Sequence, residues 1–149
     1  MSFDPQQFLN STIEESNSTE MVPVPEGELL AIADKVDCVT WSSKDGSSSG
    51  LKLRVIWDIQ DEPTKQLLGR SKVTCAQDIM LDLTETGQLD MGKGKNVGLG
   101  RLRSAVDLNT PGQPFSFPMI QGRMATVSVK HRIYQDAIFA EVKGVTKAA

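Results

Sequence analysis

Between residues 50 and 60 apolar and polar side chains alternate, with Ile56 the one apolar residue on the second face: Leu51, Leu53, Val55, Trp57 and Ile59 fall on one face, Lys52, Arg54, Ile56 and Asp58 on the other. A period of two over that length predicts a β-strand with one buried face. Upstream, ELLAIADKVDCVTW (28–41) predicts a long strand in which Leu30, Ile32, Val36 and Cys38 share a phase. Asp34 breaks that phase, so a bulge or bend is expected near the middle. The connection between the two, SSKDGSSSG (42–50), is turn chemistry centred on Asp45-Gly46 and predicts a flexible hairpin loop. DEPTKQLLGR (61–70) reads as a turn with Pro63 and Gly69, and SKVTCAQDIMLDLT (71–84) returns as a third strand before a polar, glycine-rich connection at 85–95.

The periodicity then changes. Leu99, Leu102 and Val106 recur at three- and four-residue spacing, which predicts a helix with Asn96 as its cap, Arg101 pointing away from the apolar stripe, and Asn109 with Pro111-Gly112 at its end. Gly98 and Gly100 each cost such a helix roughly 1 kcal/mol relative to Ala, which a purely structural helix has little reason to tolerate. PFSFPMIQG (114–122) reads as an irregular connection; RMATVSVKHRI (123–133), with Ala125, Val127 and Val129 in phase, and AIFAEVKGV (137–145) read as the fourth and fifth strands. Three strands, a helix and a closing hairpin is the element order of the five-stranded OB barrel, in which the helix plugs one end between strands 3 and 4. The expected fold is therefore mainly β, an OB-like barrel over residues 21–149. A β-sandwich or another α+β sheet has the same elements with different pairing.

Residues 1–20 stand apart from that domain. They are rich in Ser, Asn, Gln and Glu, show no sustained period, and read as a flexible acidic tail in which Phe3, Phe8, Leu9 and Ile13 form a short amphipathic turn. The tail carries Asp4, Glu14, Glu15 and Glu20 and no Lys or Arg. It therefore hides a basic region within a whole-chain charge of -3: from Met91 to Gln135 the seven residues Lys93, Lys95, Arg101, Arg103, Arg123, Lys130 and Arg132 face the single acid Asp107. A region of that sign is suited to a polyanion. The apolar runs are far shorter than the roughly 20 residues of a membrane helix, so no membrane partner is expected. Cys38 and Cys75 are far apart and no signal peptide is evident, so both are expected as buried thiols in an intracellular, cytoplasmic protein.

The run GKGKNVGLGRLRSAV (92–106) resembles a phosphate cradle but fits neither nucleotide loop. No Lys-Ser or Lys-Thr follows Gly94 at the Walker spacing, and Gly92, Gly94 and Gly98 are spaced one residue too widely for a dinucleotide fingerprint. No cofactor is expected. What remains is a glycine-loosened helix N-terminus beside Lys93 and Lys95, a favourable place for a phosphate. His131, the only histidine, has no nucleophile or partner acid near it in sequence and no CxxC spacing accompanies the two cysteines, so neither a triad nor a zinc site is expected. His131 instead reads as a strand-end residue at the barrel rim. Glu14-Glu15 and Asp61-Glu62 read as solvated acids.

Binding of single strands calls for cations along the backbone and aromatic faces under the bases. Trp41 at the first hairpin and Tyr134 in the last turn are the aromatic candidates; Phe115 and Phe117 either stack on bases or cover the core, and Trp57 shares its phase with core residues. The cationic candidates are Lys52 and Arg54 on the second strand, Lys93, Lys95, Arg101 and Arg103 near the helix, and Lys130 and Arg132 on the fourth strand. On an OB barrel the first and last hairpin loops, here 42–50 and 132–137, line one groove.

VPEGE (24–28), GLKLRVIWDI, LLGR (67–70), KNVGLGRLRSAVDL (95–108) and QGRMATVSVKHR (121–132) resemble, in order and spacing, phage-encoded OB-fold proteins thought to bind single-stranded DNA. The resemblance implies a non-enzymatic role in phage replication or recombination, with single-stranded DNA as partner, without strong sequence preference, and is compatible with self-association. Many such binders recruit partners through an acidic C-terminal tail, whereas this chain ends GVTKAA and its acidic tail is N-terminal. That tail is the expected contact for phage replication or recombination proteins. Two other readings stay open: an interaction module docking on a polymerase, nuclease or host protein, and an enzyme acting on nucleotides.

Overall fold

The computed structural model of the chain describes residues 3–19 and 21–148. Five antiparallel strands, β1 (Gly27–Ser42), β2 (Ser49–Ile59), β3 (Thr74–Met80), β4 (Met124–Tyr134) and β5 (Ala137–Lys147), form one sheet in the order β3-β2-β1-β4-β5. Helix α1 (Pro5–Leu9) lies in the tail, α2 (Glu62–Leu68) links β2 to β3, and α3 (Val97–Ala105) with a 3₁₀ turn (Phe117–Ile120) links β3 to β4.

β2 follows its alternation. Leu53, Val55, Trp57 and Ile59 are fully buried, each contributing about 1.5–3 kcal/mol by burial. They pack with Ala125, Val127 and Val129 of β4 and with Leu99, Leu102 and Val106 from α3 and its end. One interior polar pair joins them: the Trp57 indole N–H donates to Gln77 Oε1 at 2.9 Å.

β1 belongs to two ladders. Its first part, Gly27–Ile32, pairs with Met124–Val129 of β4, and Ala31–Ser42 pairs with β2. The register slips between Ala33 and Lys35, so the bulge predicted at Asp34 is present. The phase predicted for the strand is only partly right. Before the bulge the core-facing residues are Ala31 and Ala33, with Leu30 turned outward; after it Val36 takes the inner side and Cys38 is exposed.

Residues 61–70 are a helix rather than a plain turn. Asp61 caps it by accepting from Thr64 N at 3.1 Å and Thr64 Oγ1 at 2.6 Å, and Gly69 ends it at φ 64°. Asn96 is not the side-chain cap expected of it. It sits at φ 54°, takes Asp82 N–H on Oδ1 at 2.8 Å, and donates Nδ2 to the carbonyls of Asp82 and Asp90 at 2.9 Å each. It therefore staples the 82–90 loop to the start of α3.

α3 rests on both β3 and β5, the two edge strands. Gly98 faces Ile79, whose Cγ2 would lie 3.4 Å from an added Cβ, so packing does give one of the helix glycines a structural reason. Among the described residues no backbone ladder joins β3 to β5, and the sheet is not closed into a barrel.

Candidate nucleic-acid interface

Antiparallel register fixes which side chains share a face, because directly opposed residues point to the same side. Across β1, β2 and β3 it sets Trp41 beside Gly50, Val39 beside Lys52 and Asp37 beside Arg54, then Lys52 beside Met80 and Arg54 beside Asp78. Trp41, Lys52 and Arg54 thus lie on one outer face. The indole is seated on Gly50, where an added Cβ would meet Nε1 at 3.0 Å, and its N–H is buried without a hydrogen-bond partner among the described residues. Trp41 is therefore half-buried on the sheet rather than free in the loop.

Asp78 engages both cations of this face. Arg54 donates Nε and Nη2 to its two oxygens at 2.8 and 3.2 Å, and Lys52 Nζ lies 3.0 Å from Oδ2. The Arg54 fork, aided by Lys52, holds the Asp78 carboxyl below its ordinary range, and the same contact raises the Arg54 guanidinium. Two positive charges and one negative leave the trio a net single positive charge.

A second surface lies on the outer arm of the β4–β5 hairpin. β4 has β1 as neighbour only as far as Val129; beyond it the arm is a two-stranded ribbon. Lys130, Arg132 and Tyr134 alternate onto one face of that ribbon, opposite Glu141, Phe139 and Ala137. Tyr134 and Phe139 are 45% and 46% exposed. The Arg132 guanidinium lies 5.9 Å from each ring centroid, within cation–π range.

The two hairpin loops meet here. Lys44 of the β1–β2 loop reaches over Tyr134, its Nζ 5.9 Å from the centroid. That loop is braced by Asp45, whose Oδ1 accepts from the hydroxyls of Ser43 and Ser47 at 2.7 Å each and from Ser47 N at 3.0 Å. These bonds, that of Ser43 foremost, pull the Asp45 carboxyl down to about 2.

The helix region divides differently from the sequence expectation. Lys93, Lys95 and Arg101 are exposed on and before α3. Arg103 is not a free cation: its Nε donates to Leu108 O at 2.9 Å and its guanidinium stacks 4.2 Å from the Phe115 centroid. It ties the end of α3 to the following segment. Phe115 and Phe117 meet edge-to-face at 5.5 Å and pack against the core, so of their two readings the structural one holds.

His131 is likewise committed. Its backbone N–H donates to Glu26 Oε2 at 2.9 Å, the main reason the Glu26 carboxyl sits below its ordinary range. Ring Nε2 lies 2.6 Å from Val24 O, which assigns the proton to Nε2 because a carbonyl only accepts. The residue fastens the segment before β1 to β4. Of the cysteines only Cys75 is buried, which pushes its thiol up to about 11, whereas Cys38 is exposed, contrary to expectation.

The expected DNA-facing residues thus gather on two surfaces, Trp41, Lys52 and Arg54 on the sheet face and Lys130, Arg132 and Tyr134 on the hairpin arm. Lys93, Lys95 and Arg101 stand apart from them, and Arg103 is half-buried against Leu108 O and the Phe115 ring. Sequence reasoning misses Lys44, hidden in a serine-rich turn, and Phe139, because AIFA resembles an ordinary core strand; the pairing of Phe139 with Arg132 is visible only in the register. Among the described residues no helix is long and apolar enough to cross a membrane, and no three His, Cys, Asp or Glu side chains converge as metal ligands. Comparison of the chain with protein-family models and with curated proteins finds no match.

Proposed function

We propose that the chain is a non-enzymatic single-stranded DNA-binding protein with an OB-like barrel, acting in phage replication or recombination in the host cytoplasm. The observation that carries this reading is the meeting of Lys44 with Tyr134, which draws the first and last hairpin loops together beside an arm bearing Arg132 and Phe139. OB-folds are partly open barrels whose strand 2–3 face and whose first and last hairpin loops take oligonucleotides. The β3-β2-β1-β4-β5 order, with α3 spanning the two edge strands, is compatible with such a barrel open at the β3/β5 seam. Exposed rings beside cations suit a strand whose bases stack, at about 1–3 kcal/mol each, while its phosphates pair with Lys and Arg.

The test is a titration of labelled oligo-dT by fluorescence anisotropy at several salt concentrations. Binding near about 50 mM salt that weakens steeply as salt rises is expected. Tyr134→Ala is expected to weaken it about tenfold at unchanged melting temperature, since the ring stands outside the core cluster. No binding at low salt, or affinity indifferent to salt, overturns the reading.

A second reading, a module that docks on a replication, nuclease or host protein, is favoured by the tail. Asp4 caps α1 by accepting from Gln6 N and Gln7 N, and the helix presents Phe8 and Leu9 to solvent beside exposed Phe3 and Ile13.

A further inference from the structure

Lys95 and Arg101 need an explanation that the two surfaces above do not supply. Both are exposed, neither is ion-paired among the described residues, and one lies just before α3 and the other on it, outside the sheet face and the hairpin arm. Two adjoining grooves meet at Arg101. One, about 310 Å³, is the seam between β3 and β5, with Asp78 and Met80 on one bank and Glu141 and Lys143 on the other. The second, about 630 Å³, runs between α3 and the end of β5 and is bordered by Lys95, Arg101 and Lys147.

We propose that these grooves form a second phosphate track, along which a bound single strand continues from the sheet face, over the β3 edge at Arg101 and along α3. The inference rests on the single-strand reading above and extends it to the length of strand held. The seam opens where that face ends: Met80 and Asp78 are the register partners of Lys52 and Arg54. Its two acids are already neutralised, Asp78 by Arg54 and Lys52, and Glu141 by Lys143 at 3.0 Å and Arg132 at 3.9 Å. On the α3 groove, Lys147 has Asp107 at 3.2 Å, in an ion pair more than two-thirds exposed on both sides. Such a pair contributes little and yields readily to a phosphate.

Gly100 adds an independent argument. It lines the α3 groove, its φ is not positive, and an added Cβ would meet nothing within 4 Å, so unlike Gly98 it answers no need inside the fold. A glycine there bares the helix surface to a close-passing sugar-phosphate chain.

The test compares full-length protein with the Lys95→Ala/Arg101→Ala double variant and with Gly100→Gln, using oligo-dT of about 10 and about 30 nucleotides, lengths chosen to fall within and beyond a single OB site. For the double variant the ratio of long- to short-oligonucleotide affinity is expected to fall about tenfold, and the salt slope for the long strand to shrink by about 0.7 for each phosphate no longer neutralised. Gly100→Gln is expected to lower the same ratio while the melting temperature rises slightly, because Gln favours the helix that Gly100 weakens. An unchanged ratio in both variants, including an equal weakening at both lengths, overturns the track while leaving single-strand binding standing. Wild-type protein that binds neither length overturns the single-strand reading and the track with it. Undiminished binding of both oligonucleotides by the double variant, together with capture of an acidic peptide by wild-type protein but not by the variant, would assign the groove to a protein partner and overturn the track.

Discussion

Trp57 carries an indole N–H into an interior whose buried polar side chains, among the described residues, are Thr64 and Gln77, and Gln77 answers it at 2.9 Å. The pair is diagonal rather than directly opposed, since Trp57 faces Cys75 and Gln77 faces Val55. Gln77→Ala is expected to cost about 1–3 kcal/mol, because it orphans a buried donor, and urea unfolding reads the difference directly. Stability equal to wild type would mean that water reaches the indole. Alternation along β2 marks Trp57 as core, but nothing in sequence marks Gln77, whose partner comes from another strand. Arg103 is hidden from pattern in the opposite way: a cation in a basic run is indistinguishable by sequence from its neighbours, and only the structure shows it half-buried, with Nε on the Leu108 carbonyl and its guanidinium over the Phe115 ring.

Elements are legible in proportion to how long their pattern runs undisturbed. β2 alternates from Leu53 to Ile59 in burial, and its buried face can be read directly from its residues. β1 is recognisable as a strand, but its first half reads inverted, because the larger Leu30 and Ile32 suggest the core face while Ala31 and Ala33 occupy it. Small residues fit there because the fully buried Trp57, the register partner of Ala33, supplies the bulk. α2 escapes notice because seven residues beginning at Glu62-Pro63 give too little periodicity to separate a helix from a turn, although Asp61 and Gly69 are its ordinary end signals. Asp61→Ala is therefore expected to destabilise the protein by about 1 kcal/mol through removal of the cap, measured by chemical denaturation. A change too small to measure would show that α2 contributes nothing to the global transition. Pairing, and with it the β3/β5 seam, lies outside what pattern alone specifies.

At the scale of the molecule, charge is partitioned rather than balanced: every charged side chain of residues 1–20 is acidic, and the excess of cations lies between residues 91 and 135. The described tail residues Phe3, Phe8, Leu9 and Ile13 all stay exposed, so the sheet and α3 do not depend on them. Removing residues 1–20 is expected to leave the melting temperature unchanged and oligo-dT affinity within about twofold of the full chain, because the described residues among them, 3–19, are all exposed. Tighter DNA binding after truncation would instead mean that the acidic tail competes for the cationic surfaces, and a large drop in melting temperature would mean that it packs on the fold.

The division of β1 between two ladders has a kinetic meaning. Its pairing with β2 closes across one short loop, and β4 with β5 across a tight turn, so each hairpin can assemble from neighbours in sequence. Gly27–Ile32 against Met124–Val129 joins segments almost the whole domain apart. Closing that distance is the entropically slow step. The opening residues of β1 are thus where two independently forming hairpins become one sheet, and substitutions there should register in the rate of folding more than those elsewhere in the strand.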